Sequence, residues 1–192
     1  GVVEEQLAAG AAEGAGDEDI HSLVERLLGD VVGPLAGKLH TGRSRNDQMG
    51  TDLRLWTMRA LDRFDAALAG LGRALVERAE TGLDVLMPAY THTQRAQPVR
   101  AAHWMLAHAW PLARDRARVA DARRRTVLLP LGAGAIAGSG FAVDRRALAA
   151  RLGFADVTAN SIDAVGDRDF AIEAVFVASL AATHVSRLAE DL

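Results

Sequence analysis

The sequence predicts an all-α protein, a bundle of long helices, and three observations carry that prediction. Apolar residues recur at alternating spacings of three and four through three separate segments, the period of a helix face and of a heptad seam. Those seams are rich in alanine, which lets near-antiparallel helices pack at shallow crossing angles. The one apolar, glycine-rich segment, Leu128 to Phe141, has the wrong glycine spacing for a dinucleotide-binding fingerprint, and no strand-helix-strand unit surrounds it.

Taken in order, residues 1–16 are expected as a flexible or remnant N-terminal segment, Ala/Gly-rich and acidic from Gly10 to Gly16, and 17–192 as a single helical domain. Asp17 or Asp19 can cap a short helix from Ile20 to Leu28 that Gly29 ends. A polar stretch, His40-Thr41-Gly42-Arg43-Ser44-Arg45-Asn46-Asp47-Gln48, then leads into a helix over Met49 to Glu80 with Leu61, Phe64, Leu68, Leu71 and Leu75 on one seam. A second long helix is expected from Pro98, suited to a first turn, to Thr126, with Val99, Leu106, Trp110, Ala113, Ala117 and Ala120 on its stripe and a kink at Pro111. The Leu128 to Phe141 segment reads as a close-packed loop. Asp144 caps a short helix that stops at Gly153. Asn160-Ser161-Ile162-Asp163 leads into a third long helix from about Asp167, with Phe170, Ala174, Val177, Ala181 and Leu188 inward.

The bulk numbers exclude more than they assign. At 192 residues, 49% hydrophobic, 24% charged and with a net charge of -3, the chain can bury a sizeable core but carries no basic footprint for nucleic acid. The arginines from Arg114 to Arg125 alternate with Ala and Asp and read as a solvated helix face. With no cysteine there is no disulfide framework or thiolate metal site, which fits a cytoplasmic location. No window suggests an export signal or a membrane span.

Two segments can carry chemistry. Arg43, Arg45, Asn46, Ser44 and Thr41 converge where a helix begins, so side-chain donors, backbone N–H groups and the positive helix end can bind a carboxylate; otherwise this is a polar loop capped by Ser44 or Asn46. The second segment is Tyr90-Thr91-His92-Thr93-Gln94, also expected just before a helix. There His92 can transfer a proton while Thr91, Thr93 and Gln94 fix its tautomer and position a ligand. His103 and His184 fall on apolar stripes and read as core or interhelical residues, and no ligand set for a metal is apparent. Together the segments suit a di- or tricarboxylate and removal of a proton beside one carboxylate, with the resulting charge stabilised by preorganised donors. That is elimination chemistry.

These same residues carry a resemblance. Asp17-Glu18-Asp19-Ile20-His21, the stretch from Gly37 through Gln48, Tyr90 through Pro98, and Asn160-Ser161-Ile162-Asp163-Ala164 with Asp167-Arg168-Asp169-Phe170 resemble the argininosuccinate lyases, a branch of the fumarase/aspartase superfamily. The resemblance runs from about Asp17 to the end. It implies a long-helix bundle of that superfamily, here truncated, and a homotetramer whose active sites draw on three subunits. The implied reaction cleaves argininosuccinate to arginine and fumarate without metal or organic cofactor. Carried over by position, Asn46 and Thr91 contact the substrate, Arg45 and Ser44 line the fumarate side, and His92 is the acid/base histidine. Asp17, Asp19, His21 and Gln94 have supporting places.

The departures are specific. Family members are more than twice as long, and the Gly-Ser-Ser loop ending in Met-Pro-x-Lys, which supplies a serine and a lysine, is not in these 192 residues. A fragment with impaired activity is therefore expected. A sister lyase acting on adenylosuccinate or aspartate, and a non-catalytic helical scaffold, are the alternatives.

Overall fold

A computed structural model describes residues 1–10 and 16–192; the remaining residues of the expected Gly10–Gly16 connector lie outside the described residues. Helix takes 68% of the chain and strand 9%, so the expected helical class holds with two small sheets added to it. Where 1–16 is expected as a flexible or remnant segment, a short helix α1 forms at Val2–Ala8.

Helix α2 (Ile20–Val32) starts at Asp19, whose carboxylate accepts the Ser22 N–H at 2.7 Å. It runs through Gly29, the residue expected to end it, and stops at Gly33, where φ is +68°. Glycine inside a helix costs only about 1 kcal/mol, so packing of Leu23 and Leu27 overrides it. A 3-10 turn (Gly33–Leu35) and α3 (Ala36–Leu39) lead into α4 (Arg45–Thr81), the longest element at 37 residues. Its start, four residues before the expected Met49, is set by Ser44, the N-cap.

After α4, strands β1 (Leu86–Thr91) and β2 (Gln94–Arg100) form an antiparallel hairpin. This corrects the expected helix start at Pro98: Pro98 lies in β2 opposite Pro88, and α5 begins at Ala101. Helix α5 (Ala101–Thr126) continues through Pro111. Strand β3 (Leu128–Leu129) pairs in parallel with β4 (Asp156–Val157) across α6 (Arg145–Leu152). Helix α6 has its expected cap, Asp144, and its expected stop, Gly153 in the left-handed region. Asn160 caps α7 (Ser161–Gly166), and α8 (Asp169–Asp191) follows.

The core is a three-helix seam. Leu61 and Leu68 of α4, Leu112, Val119 and Ala122 of α5, and Val177 and Ala181 of α8 are buried together, with Phe64, Leu71, Leu75 and Ala174 packed against them. The α4 and α8 stripes match the sequence reading. The α5 stripe does not: its buried face is Leu112, Asp115, Val119, Ala122 and Thr126, whereas Trp110 is 68% exposed and Ala113, Ala117 and Ala120 face outward. His103 is likewise exposed. His184, by contrast, is interhelical: its Nδ1 lies 2.7 Å from the buried carboxylate of Asp115, which also accepts from Arg118. Helix α8 is long and apolar enough, by length and composition, to cross a membrane; its inward stripe packs on α4 and α5 as a bundle helix does.

A buried arginine ties the long helices at one end. Arg54 of α4 is 3% exposed, donates to the carbonyl of Thr126 at 3.3 Å, pairs with Asp167, and stacks over the Phe170 ring at 4.1 Å. Removing the charge of Asp167 leaves that guanidinium buried without its carboxylate. Asp167→Asn is expected to destabilise the fold by about 3 kcal/mol, read as a lower urea midpoint at unchanged slope. On the surface, Arg116 holds the Asp65 carboxyl below the usual range through a bidentate pair at 2.7 and 3.0 Å. A depressed carboxyl stabilises the fold above the unfolded carboxylate range and loses that contribution as pH falls through its folded value. Asp65→Asn should therefore lower thermal stability by less than about 1 kcal/mol at pH 7, and the difference from wild type should begin to shrink as pH falls below about 4 and vanish only once the folded carboxyl is itself protonated.

Candidate functional site

The polar stretch at the head of α4 is ordered by its own side chains. Ser44 Oγ accepts the Asn46 N–H at 3.3 Å, and Asp47 Oδ1 accepts the Ser44 N–H at 2.9 Å, a reciprocal capping box. The N–H groups expected to be free for an anion are thus partly satisfied within the helix. A carboxylate placed here would meet side-chain donors and the positive helix end. Asp47 is fully buried, and its other oxygen accepts the N–H groups of Gly132 and Gly134 at 2.9 and 2.8 Å. The first part of the glycine-rich segment, residues 129–134, is therefore packed over the start of α4 as expected, whereas 135–141 are exposed; Asn46 Nδ2 donates to the Ala135 carbonyl at 3.4 Å.

The head of α2 lies beside it. Arg45 pairs with Asp19 at 3.3 Å and donates to Ser22 Oγ and Gln48 Oε1, both at 3.1 Å. Its guanidinium is thus held between two helices, and it can act on a bound carboxylate through its charge. The Ser22 N–H is the main cause of a lowered Asp19 carboxyl, with Arg45 adding to it. His21 Nδ1 lies 3.3 Å from Gln48 Nε2 and 3.4 Å from Asp52. Burial pushes the Asp52 carboxyl up, against the opposing pull of His21 and Arg43. Asp17 does not join this group; it makes a two-pronged pair with Arg26 along α2. So Ser44, Arg45, Asn46, Asp19 and His21 form one cluster.

Thr91, His92 and Gln94 sit elsewhere. His92 and Thr93 are the two central residues of the β1–β2 turn, with φ of +51° and +61°, and Thr91 pairs with Gln94 across it. The expected helix N-terminus behind His92 is replaced by a hairpin tip, with Thr91, His92 and Gln94 exposed. Positive φ at both central positions is the mark of a type I′ turn, which favours Asn-Gly and strains a β-branched threonine.

The two halves cannot meet within one chain. Helix α4 is about 54 Å long at 1.5 Å per residue. The Val85 N–H donates to the Gly82 carbonyl and the Ala101 N–H to the Val85 carbonyl, which pins the base of the hairpin at the end of α4, and the residues from Val85 to His92 reach back at most about 25 Å. Asp47 was overlooked by sequence reasoning, although Ser44-x-x-Asp47 has the spacing of a capping box.

The family model described as lyase matches residues 9–192. The argininosuccinate lyase of Roseiflexus sp. (strain RS-1) is 62% identical over 176 residues, 92% of this chain and 39% of that protein. The argininosuccinate lyase of Synechococcus sp. (strain CC9311) is 51% identical over 191 residues, 99% of this chain and 40% of that protein. A crystal structure of EDDS lyase in complex with formate superposes with a TM-score of 0.89 at 34% identity, covering 99% of this chain and 37% of that one. The chain thus spans about two fifths of the length of the relatives it matches.

Strain at the turn gives a test of how firmly His92 is held. Thr93→Gly relieves the positive φ and is expected to stabilise the hairpin by about 1 kcal/mol, read as slower amide hydrogen exchange in β1 and β2.

Proposed function

The chain belongs to the lyase family, and on that premise we propose that it is part of an argininosuccinate lyase, which cleaves argininosuccinate to arginine and fumarate. The observation that supports this reading is the cluster at the head of α4, where Ser44, Asn46 and the charge of Arg45 suit a carboxylate, in a chain 62% identical to an enzyme of that name. The elimination removes a proton from the carbon beside a carboxylate of the succinyl group and breaks the adjacent carbon–nitrogen bond. The electron pair of that bond leaves on the guanidino nitrogen, which is protonated. Negative charge that develops on the carboxylate is met by Ser44, Asn46 and Thr91 as donors and by Arg45 and the α4 dipole. His92 moves a proton. Asp19 and His21 hold the cluster in place, and Gln94 pairs with Thr91 at the turn.

Because His92 and Asn46 stand too far apart in one chain, a complete site needs a second copy, and the protein works as a homo-oligomer, a tetramer as in the family. The flanks of the bundle support this. Trp56, Trp110, Ile172, Val175 and Phe176 are each more than 60% exposed, and an apolar groove of about 480 Å³ lined by Leu68, Val76, Leu106 and Trp110 runs between α4 and α5. In this reading the reaction runs without a metal or organic cofactor, and the enzyme acts on a small molecule in the cytoplasm. Residues 17–192 are one helical domain of its central bundle, and their activity alone is impaired.

Fumarate release followed by absorbance tests the assignment on the gene product that contains this chain. His92→Asn and Asn46→Ala should each fold and each lose at least about 100-fold in turnover. Mixed and reassembled, the two variants should recover activity to on the order of a quarter of wild type, since a random site then has both residues intact in that share of cases. No recovery on mixing would place both residues in one chain's site, against the reading. Release of fumarate from adenylosuccinate and not from argininosuccinate would move the protein to the sister lyase.

A further inference from the structure

The groups that touch substrate in the reading above are themselves held by a residue that does not touch it. Asp47 is fully buried, and its carboxylate accepts three backbone N–H groups from two distant segments: Ser44 on one oxygen, Gly132 and Gly134 on the other, all between 2.8 and 2.9 Å. The first bond fixes the N-cap, and so the start of the helix on which Ser44 and Asn46 stand. The other two fix residues 132–134, next to the Ala135 carbonyl that receives the Asn46 amide. The loop is further tied by the Gly138 N–H to the Ala133 carbonyl at 2.7 Å, and Gly134, at φ +63°, admits no side chain because Gly138 backbone fills that space. Gly42, at φ +72°, packs under Ser139 and Phe141, so the loop also closes over the preceding turn.

We propose that Asp47 is a positioning residue of the carboxylate site: it sets the register between the first turn of α4 and the loop 132–135, and through it the presentation of Ser44 and Asn46. This rests on the reading of Ser44 and Asn46 as substrate contacts. A buried carboxylate suits the task because it offers several acceptor positions in one rigid group, whereas an amide would turn an NH2 toward at least one of the three donors. A residue needed only for stability would lower the melting temperature and leave the kinetics of the folded enzyme alone.

The test is a double-mutant cycle on the gene product that contains this chain, with kcat and KM for argininosuccinate measured by fumarate absorbance. Asp47→Asn is expected to lower kcat/KM at least about tenfold, through KM more than kcat, in protein with wild-type circular dichroism and assembly state. In an Asn46→Ala background the same change should cost less than about threefold, because its effect passes through Asn46. Asp47→Glu is the second variant. Glutamate is the common residue at this position of a capping box and keeps the cap, but its extra methylene displaces the glycine loop, so it should fold and show the same loss. Values of kcat/KM within threefold of wild type in a folded variant, or costs that simply add to that of Asn46→Ala, overturn the proposal. Failure of both variants to fold also overturns it, making Asp47 a folding residue. If the wild type releases fumarate only from another aspartate-derived acid, the substrate assignment falls, and the same cycle run on that acid still decides the role of Asp47.

Discussion

The length of α4 governs how this chain is organised. A continuous seam of Leu61, Phe64, Leu68, Leu71 and Leu75 demands an uninterrupted helix, and its 37 residues put about 54 Å between its two ends. Helix α5 returns antiparallel along it, so that the carbonyls at the end of α5 reach Arg54, nine residues into α4. Helix α8 then starts beside the same arginine, through Asp167 and Phe170. The irregular segments that follow α5 and precede α8 are thereby gathered at one end of the bundle, over the polar head of α4. The hairpin is left at the other end. Every functional consequence drawn for the chain follows from that division.

At the crowded end, buried charges do what apolar packing cannot. Loop backbone has no ladder to pair with, and buried N–H and C=O groups must find partners. Arg145 supplies them for three carbonyls, donating to Leu131, Leu129 and Thr158. Asp47 supplies an acceptor for three N–H groups, and Arg54 takes up the last carbonyl of α5. Burial pushes the Arg54 guanidinium toward its neutral form, and the Asp167 carboxylate opposes that. A buried ion with one partner removed is costly, whereas methyl groups in the same places would leave the loop backbone unpaired. The charges thus specify one arrangement of the loops rather than simply adding stability.

The sequence was most legible where one physical signal acted alone. On α4 and α8 the apolar spacing named the inward residues, because each of those helices has one dominant stripe. On α5 it named an outward face. The true inward face contains Asp115, and a charged residue breaks the apolar pattern; nothing in the spacing announces that Arg118 and His184 will partner it. The hairpin was missed for a similar reason. A type I′ turn is usually signalled by Asn-Gly, and here His92-Thr93 adopts it without either residue. Pro98, which fits a first helical turn, equally fits a strand position that needs no N–H donor, and the second proline at 88 directly across from it was the available clue. For the site, the donors from Ser44 to Asn46 were readable from residue types and Asp19 and His21 only from the family resemblance, while the buried Asp47 was not read, since an aspartate in the first turn of a helix ordinarily faces solvent.

The residue with the most chemical potential sits where its own chain supports it least. A lone two-stranded hairpin is marginal in water, and this one has Leu86 and Tyr90 exposed and two strained residues at its tip. Strain of that kind persists only where surrounding structure over-determines the backbone. Within this chain the hairpin has β2 packed on the start of α5 and little else. Under the assembly proposed above, the α4 head that provides Ser44 and Asn46 to His92 comes from another copy. Proton transfer and subunit association then become one problem. If the proposed assembly holds, the imidazole is positioned only once the carboxylate cluster has been brought to it, and burial of the strained turn against that cluster is what would hold His92 rigid.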